Sequence, residues 1–190
     1  MKIGLFFGSF NPVHNGHLAI AAFLNGKKLF DQIWMVVSPN NPLKTQDELM
    51  DENVRLDMLK LAIQNLPYLQ ACDEEFSLPK PSFTIDTLHY IENQYPNFEF
   101  ALILGNDNME NFHKWKNYEE ILKRFMIYVY PRSNETLKKK EHPHIVYLDA
   151  PLLHVSATEI RNLWKQGKPA TAYVPKLVEQ YVKERKTVRP

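Results

Sequence analysis

Short apolar runs alternate along this chain with longer stretches whose apolar residues recur every three or four positions. After Lys2, residues 3–7 are apolar without a break, so residues 2–7 read as a strand covered on both faces. Residues 16–28 read as a helix, with Leu18, Ala21, Ala22 and Phe23 or Leu24 on one side. Residues 32–37 form a second strand, and residues 38–50 a polar, proline-bearing loop. Asp51 stands where a cap belongs for a helix to Gln64, with Val54, Met58, Leu61 and Ala62 near helical spacing. Residues 69–71 read as a short strand. A helix over 84–94 puts Ile85, Leu88 and Ile91 on one side, and 98–104 is a strongly apolar strand. A helix over 117–123, a strand over 125–129 and a short strand over 145–148 follow. Ser156, with Glu159 three residues on, predicts a helix opened by a reciprocal cap, each side chain taking the other residue's backbone N–H. Pro175 occupies a first-turn position for a helix through Glu184.

Strands alternating with helices predict the α/β class: a Rossmann-like, doubly wound parallel sheet with helices on both faces. Ligands in such folds bind beyond the carboxyl ends of the strands, where the winding reverses. At 190 residues the chain is expected to form a single domain, 1–190, with a core that needs no staples.

Charge and composition narrow the classes. Lys plus Arg total 23 and Asp plus Glu 22, a net charge of +1 that argues against a polybasic nucleic-acid or membrane-surface protein. The single cysteine, Cys72, excludes an intrachain disulfide and a cysteine-based zinc cluster. The opening apolar run is too short for a secretion signal, and no run approaches the roughly 18 residues of a membrane span, so a cytoplasmic location is expected. The run Lys138–Lys140 reads as part of a solvated loop.

Two segments carry chemistry. The first strand ends in Gly8-Ser9-Phe10-Asn11-Pro12-Val13-His14-Asn15-Gly16-His17. A strand, a glycine-bearing loop and a helix start together favour phosphate, because the free N–H groups and positive dipole end of the helix face it. His14 and His17, three residues apart, can point into one pocket. A pair of ordinary surface or core histidines is the competing reading, and a metal pair is disfavoured by the absence of an HExxH pattern. The second segment is Val155-Ser156-Ala157-Thr158-Glu159-Ile160-Arg161. A well-capped helix explains Ser156 and Glu159 but not Thr158 and Arg161, whose hydroxyl and guanidinium can both meet phosphate oxygens.

These two segments together resemble the HxGH nucleotidyltransferase superfamily and, within it, the bacterial nicotinate-nucleotide adenylyltransferases. The likeness runs over nearly the whole chain. Ser38-Pro39-Asn40-Asn41-Pro42-Leu43-Lys44 is similar to that family's SPxxPxK loop, and Ser82-Phe83-Thr84-Ile85-Asp86-Thr87-Leu88 to its SYTxDTL segment. Leu104-Gly105-Asn106-Asp107 with Phe112 and Trp115 is similar to GxDxxxxFxxW, and Tyr173-Val174-Pro175 with Val178 and Val182 to the YVPxxVxxYI tail. Departures are small: Asn11 stands where Asp is usual, Asn106 where Ala or Ser is usual, and Ser9-Phe10 where the loop usually has Thr.

The resemblance implies a nucleotidyltransferase fold and the joining of ATP to nicotinate mononucleotide, giving nicotinate adenine dinucleotide and pyrophosphate. It implies His14, His17 and Arg161 as catalytic groups. ATP would meet Gly8, Ser9, Phe10, His17, Ser156, Thr158 and Arg161, the first three through backbone N–H groups. The mononucleotide would meet Lys44 at its phosphate, Thr84 and Ile85 at the ring carboxylate, Asp107 at the sugar and Trp115 by stacking. Mg2+ would accompany ATP, with no protein ligand named. The expected partners are these two substrates, without nucleic acid or membrane, and a homo-oligomer is compatible with the chain. Trp115 is otherwise an ordinary half-buried indole and Asp107 a strand-end turn residue. Enzymes preferring nicotinamide mononucleotide or pantetheine phosphate, and a non-catalytic nucleotide-binding module, are the alternatives.

Overall fold

A computed structural model describes residues 1–39, 49–132, 141–152 and 154–185. Lys44, most of the loop around it and Lys138–Lys140 lie outside the described residues.

Six strands, β1 (Lys2–Gly8), β2 (Gln32–Val37), β3 (Leu69–Cys72), β4 (Glu99–Gly105), β5 (Met126–Tyr130) and β6 (Ile145–Tyr147), form one sheet in the order β3-β2-β1-β4-β5-β6. Every neighbouring pair is parallel. Among the described residues seven helices join and follow them: α1 (Asn15–Gly26), α2 (Glu52–Ile63), α3 (Thr84–Gln94), α4 (Asn106–Glu110), α5 (Tyr118–Arg124), α6 (Ala157–Lys165) and α7 (Lys176–Glu184). Within each central strand successive side chains go to opposite faces. Ile3 and Leu5 of β1, with Leu102 and Leu104 of β4, meet Ile85, Leu88 and Ile121 from α3 and α5. Phe6 and Ile103 face the other way, onto Ile20, Leu59, Ile160, Trp164 and Val178 from α1, α2, α6 and α7. Two-sided burial is why these strands appear in the sequence as unbroken apolar runs rather than alternations.

The expected elements fall within a residue or two of those observed. Asp51 caps α2, its side chain accepting from the N–H of Asn53 at 2.9 Å and of Val54 at 3.4 Å. The reciprocal cap at Ser156 does not form. Ser156 holds the cap position of α6 in extended backbone, but its side chain accepts no capping hydrogen bond, and Glu159 is solvent-exposed. Pro175 is the cap of α7 rather than its first residue. Helix α4 and the 3-10 turns Glu74–Ser77 and Phe112–Lys114 are too short to show a period in the sequence.

The rear of the chain is fastened to the front. Glu179 of α7, only 3% exposed, accepts from Trp164 Nε1 at 2.9 Å and Ala170 N at 3.1 Å. The Tyr173 carbonyl accepts from the N–H of Asn15, the first residue of α1, at 2.8 Å. The order of winding reverses between β1 and β4, so Gly8 and Gly105 end side by side at the mouth of the crevice. Among the described residues no helix is long and apolar enough to cross a membrane.

Candidate active site

From Gly8 the chain turns sharply. Phe10 takes a left-handed backbone conformation (φ 43°), which costs energy for a bulky residue and drives its ring into the core. The ring sits edge-on to Phe6 and His17, at centroid distances of 5.9 and 5.0 Å. Phe10 therefore supplies a wall with its side chain, and only its backbone N–H is left for a ligand.

His14 and His17 stack face to face, ring centroids 3.7 Å apart and planes 26° from parallel. The stack requires a glycine between them: a Cβ on Gly16 would lie 2.9 Å from His14 Nδ1. The His14 N–H donates to His17 Nδ1 at 3.3 Å, so a neutral His17 carries its proton on Nε2 and presents it as a donor. His14 is 5% exposed and its Nδ1 is buried with no hydrogen-bond partner. Burial, and then the charge of Arg132, push its pKa down to about 4, so the ring is neutral at pH 7.

The start of α1 is less open to an anion than the sequence suggests. The Asn15 N–H goes to Tyr173 O, and the His17 and Leu18 N–H groups go to His14 O. Among the described residues Gly16 alone of this first turn keeps an N–H without a partner. The groups that could meet an anion here are the His17 ring, the Gly16 N–H and the preceding loop.

Arg161 approaches from α6. It is 7% exposed, donating through one nitrogen to Asn11 O at 2.9 Å and through another to Thr158 Oγ1 at 3.3 Å. Ser9, His14, His17, Ser156, Thr158 and Arg161 all line one cavity of about 810 Å³. Thr158 is exposed and Ser156 half-buried, on its open side.

A second cavity of about 320 Å³ lies across the loop, lined by Gly8, Phe83, Thr84, Asp107 and Trp115 among others. Trp115 is half-buried against Phe112 at 5.3 Å. The side chain of Ile85 is in the core, 1% exposed, so this residue can offer only its N–H. Among the described residues the Thr84 and Ile85 N–H groups at the start of α3 have no backbone acceptor, as expected for a first helical turn. Asp107 is the second residue of α4 and pairs with Arg132 at 2.9 Å. At the cavity's floor Glu75, 2% exposed, accepts from Thr87 Oγ1 at 2.9 Å, while Glu75 Oε2 and the nearby Ser82 Oγ are buried without partners. Burial raises the Glu75 pKa. Seven residues, among them Ser9, Asn11, His14, His17 and Arg132, belong to both cavities, so the two share a wall.

Sequence reasoning missed Arg132, Glu75 and Arg55. Arg132 had a signal, since it follows the carboxyl end of β5, where this fold places ligands. Arg55 and Glu75 sit in an ordinary helical pattern and an acidic turn. Nothing in their spacing marks them as buried. Among the described residues no three His, Cys, Asp or Glu side chains gather to hold a metal.

Residues 5–163 match the cytidylyltransferase-like family. Over 189 residues the chain is 51% identical to a probable nicotinate-nucleotide adenylyltransferase of Cytophaga hutchinsonii, covering 98% of this chain and 97% of that one. It is 47% identical over 185 residues to a probable nicotinate-nucleotide adenylyltransferase of Flavobacterium johnsoniae, covering 96% of each. The fold is also that of the Plasmodium falciparum nicotinic acid mononucleotide adenylyltransferase solved with NaAD, at 19% identity and a TM-score of 0.80, covering 96% of this chain and 95% of that one.

Proposed function

The chain belongs to the cytidylyltransferase-like family, in its nicotinate-nucleotide adenylyltransferase branch, and from that premise we propose how its two adjoining cavities divide the work. The reaction joins ATP and nicotinate mononucleotide into nicotinate adenine dinucleotide and pyrophosphate, a step of NAD biosynthesis. The larger cavity takes the triphosphate and the smaller one the pyridine ring and its ribose. The observation that carries this division is their common wall: the two phosphates that must meet would do so at Ser9, His14 and His17.

The attacking group is the mononucleotide's own phosphate, whose second pKa is near 6, so it is largely a dianion at neutral pH and needs no general base. It attacks the α-phosphorus in line, and pyrophosphate leaves. The protein's part is alignment and charge stabilisation. His17 gives its Nε2 proton as a hydrogen bond to the reacting phosphate. Neutral His14 holds the His17 ring by stacking and offers its own ring edge. The Ser9–Phe10 backbone faces the transferred group. Arg161, Ser156 and Thr158 take the β- and γ-oxygens, where charge develops on the leaving group.

Magnesium would enter with ATP as part of the substrate and would neutralise part of the triphosphate charge. Among the described residues no group of three His, Cys, Asp or Glu gathers, and we assign magnesium no protein ligand.

In the smaller cavity the Thr84 and Ile85 N–H groups and the dipole of α3 meet the ring carboxylate. Trp115 stacks on the ring, and Asp107, held by Arg132, meets the sugar. The test is pyrophosphate release from ATP and magnesium with nicotinate mononucleotide and nicotinamide mononucleotide side by side. The acid is expected to be the better substrate; preference for the amide overturns the carboxylate assignment, and release with neither supports a binding module.

A further inference from the structure

Arg55 of α2 is 0% exposed, and among the described residues its hydrogen bonds go to carbonyls, while Glu52, Asp51 and Glu75 lie near enough to favour its charge. It is solvated by main-chain carbonyls from three separate stretches. Nε donates to Met50 O at 2.9 Å, one terminal nitrogen to Ser9 O at 2.6 Å and Ser38 O at 2.8 Å, and the other to Pro39 O at 3.0 Å. Ser9 lies in the turn after β1, Ser38 and Pro39 follow β2, and Met50 leads into α2. The Met50 N–H in turn donates to Asn11 Oδ1 at 3.1 Å. Burial pulls the Arg55 pKa down to about 10, so it stays charged at pH 7.

A trans peptide points its C=O and N–H in opposite directions. With the Ser9 carbonyl drawn toward Arg55, the N–H of the same peptide, that of Phe10, is turned away from Arg55. Among the described residues this N–H has no acceptor.

We propose that Arg55 is a positioning residue for the adenylyl transfer: by gripping the Ser9 carbonyl it aims the Phe10 N–H at a nonbridging oxygen of the ATP α-phosphate. The same guanidinium joins the chain just after β2, at Pro39, to the chain just before α2, at Met50. The proposal rests on the function given above and adds the residue that orients the loop. An ammonium cannot replace the fork, because the fork's geometry lets one group serve carbonyls in several directions at once.

The test uses the full chain and ATP carrying sulfur in place of one nonbridging α-oxygen, each diastereomer separately, with nicotinate mononucleotide and magnesium. Sulfur is a weak acceptor. One diastereomer is expected to slow the wild-type protein at least about tenfold, the loss of a hydrogen bond to a charged group. In Arg55→Lys and Arg55→Gln, assayed well below their melting midpoints, turnover of ordinary ATP falls at least about tenfold. In both variants the penalty for the sulfur shrinks to less than about twofold, because the aimed donor is already lost. A merely structural arginine would lower activity without changing that ratio. An equal sulfur penalty in wild type and folded variants overturns the proposal, as does a wild type indifferent to both diastereomers. If neither variant folds, Arg55 belongs to the fold alone and the proposal also fails. A wild type that releases no pyrophosphate from ordinary ATP sinks the assigned reaction instead.

Discussion

The two cavities are built on different principles although they share a wall. In the larger one the groups proposed to handle charge are already locked: His14 and His17 by stacking over Gly16, Arg161 by the Asn11 carbonyl. In the smaller one the ring-facing groups are looser. Trp115 is half-buried, follows a short 3-10 turn and rests on Phe112. The difference suits the tasks. A transition state with developing charge rewards donors that need not move, whereas a flat aromatic ring is held by area and stacking, which tolerate small displacements.

That contrast can be broken from either side. His17→Ala is expected to lower turnover at least about 100-fold, the loss of a fixed donor at a charged centre, with little change in ring binding followed by Trp115 fluorescence. Turnover near that of wild type would mean the locked wall does not carry the reaction.

The burial of His14 has a cost that appears in acid. Its folded pKa, about 4, lies below the unfolded value of 6.5, so the unfolded chain binds the proton first. Stability is therefore lost as pH falls from about 6.5 towards 4, by up to about 3 kcal/mol from this residue. Urea titrations of wild type and His14→Asn across that range should diverge in slope, and parallel curves would show that the ring is not held neutral.

On the looser side, Trp115→Ala is expected to raise KM for the mononucleotide roughly tenfold, the scale of a lost aromatic contact, and to leave KM for ATP unchanged. An equal rise in both would erase the distinction between the cavities. The smallest effect belongs to Ser156. Because it makes no capping bond, Ser156→Ala should cost less than about 0.5 kcal/mol in a melting experiment, where a working serine cap costs about 1. A full cap penalty would restore the reciprocal cap.

The sheet was legible because its strands are apolar on both faces and its helices carry a period. The loop after β1 drew notice because a glycine and two histidines three apart stand at a strand end just before a helix. What stayed hidden was tertiary. Phe10 looked like part of a binding loop, but its ring is core. The free N–H groups expected at the start of α1 are consumed by Tyr173 and His14, a contact from residues more than a hundred positions away for the former. Arg55 shows no sequence signal because a buried guanidinium bonded to carbonyls has the same local pattern as an exposed one on a helix. Ser156 and Glu159 had the right spacing for a reciprocal cap, but spacing does not decide whether the side chains turn to each other or to solvent.

The carbonyl of Tyr173 on the first residue of α1 ties the end of the described chain to its beginning. All six strands are contained in the first 147 residues, whereas Arg161 and Tyr173 come later. The late helices α6 and α7 bring Ile160, Trp164 and Val178 to one face of the sheet along with Arg161, so a product cut short of them would lose part of its core together with the proposed grip on phosphate.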